Sequence, residues 1–253
     1  MKHFQIGVEL FTLREELSQD FKGVFRDLSK LGIDLVEPAF FYGGMEPAEY
    51  RAFLKELNLS VRSIYAPQVS DLLTADSEAA RFASELNVPY LTVGSGLDFA
   101  AEWLRLAQEL RTAVAANLAM GRRTLYHNHH HEFDKNENGE YLLDLFLAET
   151  LKEPGLEMEP DIGWIAKANV DYLDFVRRYA SRIPIIHLRD ISKNGETFAA
   201  LGRGTLDIPA CLEILEKSPC DALIYEQDSF EDLPWDSTVK SVEYLKKIVK
   251  QDK

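Results

Sequence analysis

The chain has 253 residues, 46% hydrophobic and 28% charged, with a formal net charge of −14. That length and composition admit one large packed domain and argue against disorder, and the acidic balance argues against a general phosphate-backbone binder, whose affinity rests on Lys and Arg. No apolar run reaches the roughly 18 residues of a membrane helix, the opening MKHFQIGVEL has no apolar leader region, and two cysteines without a CxxC argue against thiol chemistry, so a cytoplasmic protein with no membrane or nucleic-acid partner is expected.

Short β-branched runs alternate with amphipathic stretches along the whole chain. The first expected strand, Phe4–Glu9, is followed by a helical pattern over Asp20–Leu31, in which Val24, Leu28 and Leu31 share a face. Then come strand Ile33–Glu37 with helix Pro47–Leu57, strand Ser60–Tyr65 with helix Ser77–Leu86, and strand Tyr90–Val93 with helix Phe99–Asn117. The second half repeats this with Arg123–Tyr126 and Glu140–Leu151, Leu156–Asp161 and Val170–Tyr179, Pro184–His187 and Ile208–Glu216, and Ala222–Glu226 and Thr238–Val249. Repeated βα order gives parallel strands with right-handed crossovers, and eight such units predict an α/β fold, a (β/α)8 TIM barrel spanning 1–253 as a single domain. The alternative, a doubly wound open sheet, lacks a GxGxxG after the first strand. Ser192–Gly204 has no clear period and follows the seventh strand, so it is expected to cover the barrel mouth.

In such a barrel the C-terminal strand ends build the active site. Here they are Glu9, Glu37, the cluster His127–Glu132, Asp161, His187 and Glu226. A single carboxylate there can simply cap the next helix; the set converges on one rim. Four of the six histidines lie in YHNHHHEF, where His127 and His129 share a strand face. Carboxylates with one or two imidazoles suit Mn, Mg, Co or Zn. A cation there would stabilise the charge that develops when a carbon-bound proton leaves, and a flanking carboxylate or His would take and return that proton. Trp164, three residues past Asp161, can stack on a sugar face or pack in the core. Arg14 and Arg203 read as surface residues, and Phe11 as part of the outer layer, whereas Phe40, Phe41 and Tyr42 are candidates for an aromatic pocket.

These residues carry a resemblance to the sugar phosphate isomerase/epimerase family of xylose-isomerase-like barrels, over nearly the whole chain. GVELFTLR resembles the family's first strand and GIDLVEPAFFYG the second; MEPDIGW, RIPIIHLRDI and ALIYEQD resemble the sixth, seventh and eighth. The resemblance implies a divalent metal on Asp161, His187 and Glu226, with a fourth donor from strand five. The usual Glu of that strand aligns with His127, so Glu132, five residues on, is the expected substitute; direct ligation by His127 or His129 is the rival. The family's frequent Lys in the seventh motif is Arg189 here, and SIYAPQ lacks a third-strand His.

The function expected from this resemblance is a metal-dependent sugar isomerase or epimerase, removing a proton next to a metal-bound carbonyl of a ketose or keto-sugar. Glu132 and Glu226 are the expected acid/base pair, with His129 as substitute; Glu37, His127, Trp164 and Arg189 are expected to contact a small carbohydrate. A lyase or dehydratase acting on a keto-inositol or 3-keto-glycoside shares the first step. A barrel that binds sugar or metal without turnover, and a phosphodiesterase like endonuclease IV, are further alternatives, the last opposed by the acidic charge. Relatives often form homo-oligomers.

Overall fold

Each of the expected strands forms in the computed structural model, which describes residues 2–95, 98–152 and 154–249. The barrel strands are β1 (Gln5–Glu9), β2 (Leu35–Glu37), β3 (Ser63–Tyr65), β4 (Tyr90–Gly94), β5 (Arg123–His127), β6 (Leu156–Glu159), β7 (Ile185–Leu188) and β10 (Ala222–Tyr225). They pair in parallel as two four-stranded sheets, β2-β1-β10-β7 and β3-β4-β5-β6. Single bridges close the two seams, Leu35 with Ser60 and Asp161 with His187. The His187 N–H donates to Pro160 O at 2.9 Å, so one seam runs through two of the candidate ligands. The first and last strands are neighbours, which makes the barrel a single domain.

Around it lie α1 (Arg14–Lys30), α2 (Pro47–Glu56), α3 (Glu78–Leu86), α4 (Phe99–Ala119), α5 (Leu142–Thr150), α6 (Ile162–Lys167), α7 (Tyr172–Tyr179), α8 (Ile208–Leu215) and α9 (Pro234–Val249). The helix expected to start at Asp20 begins earlier, at Arg14, but breaks at Asp20, whose carboxylate accepts the Gly23 N–H at 2.9 Å. The expected start is therefore a real cap inside a longer element. Helix α6 is too short to show a period, and its cap, Asp161, accepts the Trp164 N–H at 3.0 Å. The Ser192–Gly204 stretch contains β9 (Phe198–Ala199), which pairs antiparallel with β8 (Asp190–Ile191). No helix among the described residues is long and apolar enough to cross a membrane.

Strand alternation then sorts the interior into layers. Leu35, Leu125, Ile185, Ala222 and Ile224 form a buried apolar cluster of their own, separate from the larger core that includes Val8, Val36, Tyr126 and Ile186. Two residues further along the same strands come Glu37, His127, His187 and Glu226. The polar layer is thus one pleat above the apolar plug, and its height is set by the register that pairs Glu9 with Glu37 and His127 with Glu159.

Gly7 belongs to the plug. A Cβ there would lie 2.6 Å from Ile224 Cδ1 and 2.8 Å from Leu35 Cβ. Overpacking of this kind costs about 1–3 kcal/mol. Gly7→Ala should therefore lower the melting temperature by several degrees, roughly 2–4 °C per kcal/mol for a chain of this size; an unchanged melting temperature would contradict this packing.

Candidate active site

Eight parallel strands deliver an excess of acid to one small space. A cavity of about 210 Å³ at the barrel mouth is lined by Glu9, Glu37, Glu159, Glu226, Asp228, His127, His129, His187 and Arg189, with Tyr65, Phe11, Ala39 and Phe40 at its apolar side. Carboxylates buried like this are costly unless paired or bound to a cation.

His187 is the central partner. Its Nδ1 lies 2.7 Å from Glu226 Oε2 and its Nε2 lies 2.8 Å from Glu37 Oε2. Burial alone would lower its proton affinity, but Glu37, Glu159 and Glu226 raise it well above the ordinary histidine range. With a carboxylate oxygen at each ring nitrogen, the geometry favours the protonated ring.

Arg189 is the other. Its Nε pairs with Asp161, its Nη2 lies 2.5 Å from Glu226 Oε1, and its Nη1 forms an ion pair with Asp228 Oδ2 at 2.6 Å. Only a forked guanidinium spans three carboxylates in this way, which accounts for Arg where the resembled family often has Lys. Gly163 makes room for it, since a Cβ there would sit 2.4 Å from Arg189 Cβ. Burial pushes the Glu226 carboxyl up, but Arg189 and His187 outweigh it and hold the group ionised.

The next residue has a different task. Asp190 is buried and accepts backbone N–H groups from Gly202 at 3.0 Å, Gly204 at 2.9 Å and Leu206 at 2.9 Å. It folds the segment after β7 back on itself.

Two members of the cluster have buried polar atoms without a hydrogen bond. Both oxygens of Glu159 are buried without a hydrogen bond, as is Nδ1 of His127. Burial and the nearby Glu37 raise the Glu159 proton affinity well above the ordinary carboxylate range. Ser63 and Thr92 temper this, but Ser63 donates its hydroxyl to Glu37, at 2.8 Å. Glu9 is raised likewise, by burial and by Glu226 and Glu37. Burial, and then the charge on His187, keep His127 neutral. A neutral imidazole whose ring nitrogen has no hydrogen bond is a donor that fits a cation.

Donor atoms of His127, Asp161, His187 and Glu226 all lie within 4.8 Å of one another, and so do those of Glu37, Glu159 and His187. The structure thus brings together Asp161, His187 and Glu226, the three expected from well-separated segments, with His127. It does not bring Glu132 to them. The chain makes a 3-10 turn over His131–Phe133 after β5, and this turn directs Glu132 toward the loop after β4. There Glu132 accepts from Ser95 Oγ at 2.8 Å and from the His129 N–H at 2.8 Å. It does not line the cavity, so the folding back expected for it does not occur, and His127 is the fifth-strand residue whose donor atom stands with those of Asp161, His187 and Glu226.

The other expected residues divide as follows. Glu37 and Arg189 line the cavity, as does His129. Trp164 does not; it stacks on His130 at 5.1 Å and meets Phe198 edge-on at 4.9 Å. Phe11 lines the mouth rather than the outer layer, and Arg14 is half-buried, with its guanidinium over the Phe11 ring and hydrogen-bonded to Asp228 O at 3.3 Å. Phe40 is at the mouth and Phe41 packs against it at a tilt, whereas Tyr42 is buried in the core against Phe82. Arg203 is exposed. Glu159 and Asp228 are the residues that sequence reading missed. Glu159 has the parity of Asp161 on the same strand, and this alternation was the available signal.

Because Arg189 is the buried cation that three carboxylates share, its removal leaves them uncompensated. Arg189→Met should destabilise the fold by about 3–5 kcal/mol in denaturant titration, and Arg189→Lys should restore only part of that. A loss below about 1 kcal/mol for Met would show that the cluster is held by other means.

Comparison with known proteins agrees with this architecture. A sugar phosphate isomerase/epimerase from Parabacteroides distasonis ATCC 8503 superposes with a TM-score of 0.82 at 17% identity, covering 99% of this chain and 96% of that one. A probable 3-DHS dehydratase involved in petrobactin synthesis from Bacillus anthracis gives 0.71 at 15% identity, covering 97% and 99%. D-psicose 3-epimerase, solved in the presence of D-fructose, gives 0.61 at 14% identity and covers 97% of both chains. At these identities the likeness is one of fold. No curated protein matches the chain in sequence. The model of the xylose isomerase-like TIM barrel family matches residues 25–248, and the chain belongs to that family.

Proposed function

We propose that the chain is a divalent-metal-dependent enzyme that moves a proton between carbon atoms, or between the two faces of one carbon, next to the carbonyl of a ketose or keto-sugar. The observation that carries this is the carboxylate of Glu159. Both of its oxygens are buried without a hydrogen bond, and Glu159 lines the same cavity as the His127, His187 and Glu226 donors.

His127, Asp161, His187 and Glu226 would hold the ion, His127 standing where Glu132 was expected. Two imidazoles with two carboxylates suit Mn, Co or Zn better than Mg, which prefers oxygen. A cation bound there supplies electrostatic stabilisation for the negative charge that develops on the substrate oxygen. The protein supplies the rest. Glu226, kept ionised by Arg189 and His187, is fitted to be a ligand. Glu159 and Glu9 are fitted to carry protons, because each lines the cavity and burial raises the proton affinity of each; the nearest cationic nitrogen to Glu159, His187 Nε2, is 3.6 Å away and hydrogen-bonds Glu37 instead. They stand on β6 and β1, which are not adjacent, so the substrate can meet them at different carbons. Phe11 and Phe40 offer an apolar face to the sugar's C–H edges. The acid/base pair expected from sequence, Glu132 with Glu226, is less well served, since the first lies outside the cavity and the second is tied to His187 and Arg189. Sugar-processing relatives of the fold, including the D-psicose 3-epimerase and an L-ribulose 3-epimerase, are consistent with a carbohydrate substrate.

The test is proton NMR of a panel of ketoses in deuterated water with added Mn or Co. Deuterium should enter at a carbon next to the carbonyl, with epimerisation or carbonyl migration. Glu159→Gln should lower the rate by about 10²–10⁴ while metal content is unchanged. No exchange from any ketose with metal present, or near-normal turnover in that variant, would contradict the proposal. Loss of water or an alcohol would instead place the enzyme among lyases that share the first step.

A further inference from the structure

We propose a second cation site beside the mouth, built from His129, His131 and Glu132. None of the three belongs to the His127–Asp161–His187–Glu226 group, and their donor atoms also lie within 4.8 Å of one another. The site therefore stands or falls independently of the function proposed above.

The local chain makes the group. After β5 ends at His127, the 3-10 turn over His131–Phe133 brings alternate histidines into register, so the rings of His129 and His131 lie nearly parallel, 11° apart in plane and 5.4 Å apart in centroid. Glu132 is fully buried beneath them. His129 Nδ1 lies 3.7 Å from Glu132 Oε1, and His131 Nε2 lies 3.6 Å from Glu132 Oε2. Those separations are too long for hydrogen bonds. They are within about 0.1 Å of the edge of a coordination tetrahedron, about 3.3–3.6 Å when metal–ligand bonds are about 2.0–2.2 Å.

A second observation points to a ligand. His129 Nδ1 is a buried ring nitrogen with no hydrogen-bond partner. A nitrogen left unpaired in that way costs stability, and an ion between it and Glu132 would use its lone pair. The supporting contacts around the carboxylate are those that orient a metal-bound Glu: the His129 backbone N–H donates to Oε2 at 2.8 Å, and the Tyr126 hydroxyl donates to Oε1 at 3.4 Å. Ser95 Oγ lies 2.8 Å from both His131 Nε2 and Glu132 Oε1, and so is placed to join the ion or yield to it.

Two imidazoles and one carboxylate form a set that takes Zn or Co, with open positions left. The His127 and His129 rings are 5.1 Å apart, and His129 lines the cavity. An ion here abuts the space that the substrate fills. It also ties the segment after β5 to the loop after β4, through Ser95.

The test equilibrates the full-length protein with cobalt, removes excess, and measures metal per chain by elemental analysis together with the visible cobalt spectrum. Wild-type protein should hold two equivalents. His131→Phe, which keeps an aromatic ring in the stack, should hold one and lose part of the visible absorbance. Asp161→Asn should lose the other equivalent and keep that absorbance. Two equivalents reduced only by Asp161→Asn, or a wild type holding one ion that His131→Phe does not affect, would overturn the second site. Loss of metal only in His131→Phe would uphold it and count against the first site instead. Should His131→Phe fail to fold, the wild-type count decides: two equivalents support the site and one overturns it.

Discussion

The structure depends on burying more carboxylates than it has cations to neutralise them. Glu9, Glu37, Glu159, Asp161 and Glu226 are all buried at one end of the barrel, with Asp228 beside them, against a single guanidinium and the imidazolium of His187. Ordinary packing does not pay for such an arrangement; it persists where a bound cation or a proton is part of the design. The apolar layer one pleat below supplies the rigidity. Leu35, Leu125, Ile185 and Ile224 fill the barrel beneath the acids, so the polar side chains are held on strands and not on mobile loops.

The two cationic groups act differently. Arg189 is locked by three carboxylates and so fixes geometry: it holds Asp161 and Glu226 in place and keeps Glu226 ionised. His187 bridges Glu226 and Glu37, the two sides of the cluster, and stands in both groups of candidate donors. A cation entering at His127, Asp161, His187 and Glu226 would therefore take over a charge that the imidazolium carries without it. Glu159 lies 3.6 Å from His187 but hydrogen-bonds neither cationic group, which suits it to the proton-carrying role proposed for it.

Much of this was legible in the sequence. Parallel strands covered on both faces read as apolar runs, and each of the expected barrel strands lies where such a run predicted it. Asp161, His187 and Glu226 were legible because each terminates such a run, and strand ends face one rim by the rule of the fold. Glu132 was not, because a carboxylate five residues beyond a strand can turn either way, and the 3-10 turn that sends it toward Ser95 leaves no periodic trace. Glu159 was hidden by Pro160: reading the strand through to Asp161 made the last residue look like the functional one, although the alternation puts Glu159 on the same face. The roles of Arg189 and Asp190 needed coordinates, since adjacent charged residues in a strand give no sign that one gathers three side chains and the other four backbone N–H groups. The β8–β9 hairpin has two-residue strands, below what any hydrophobic period can reveal.

Membership of the barrel family fixes the scaffold, and the fifth-strand position, His127, is where this chain departs from the family pattern it resembles; the proposed metal site turns on that position. Anomalous diffraction from crystals grown with manganese is the most direct measurement, because it locates the ion and names its ligands. The ion should be bound by imidazole nitrogens of His127 and His187 and carboxylate oxygens of Asp161 and Glu226. A manganese peak in that cluster with Glu132 in place of His127, or a peak nowhere near Asp161, His187 and Glu226, would contradict the assignment.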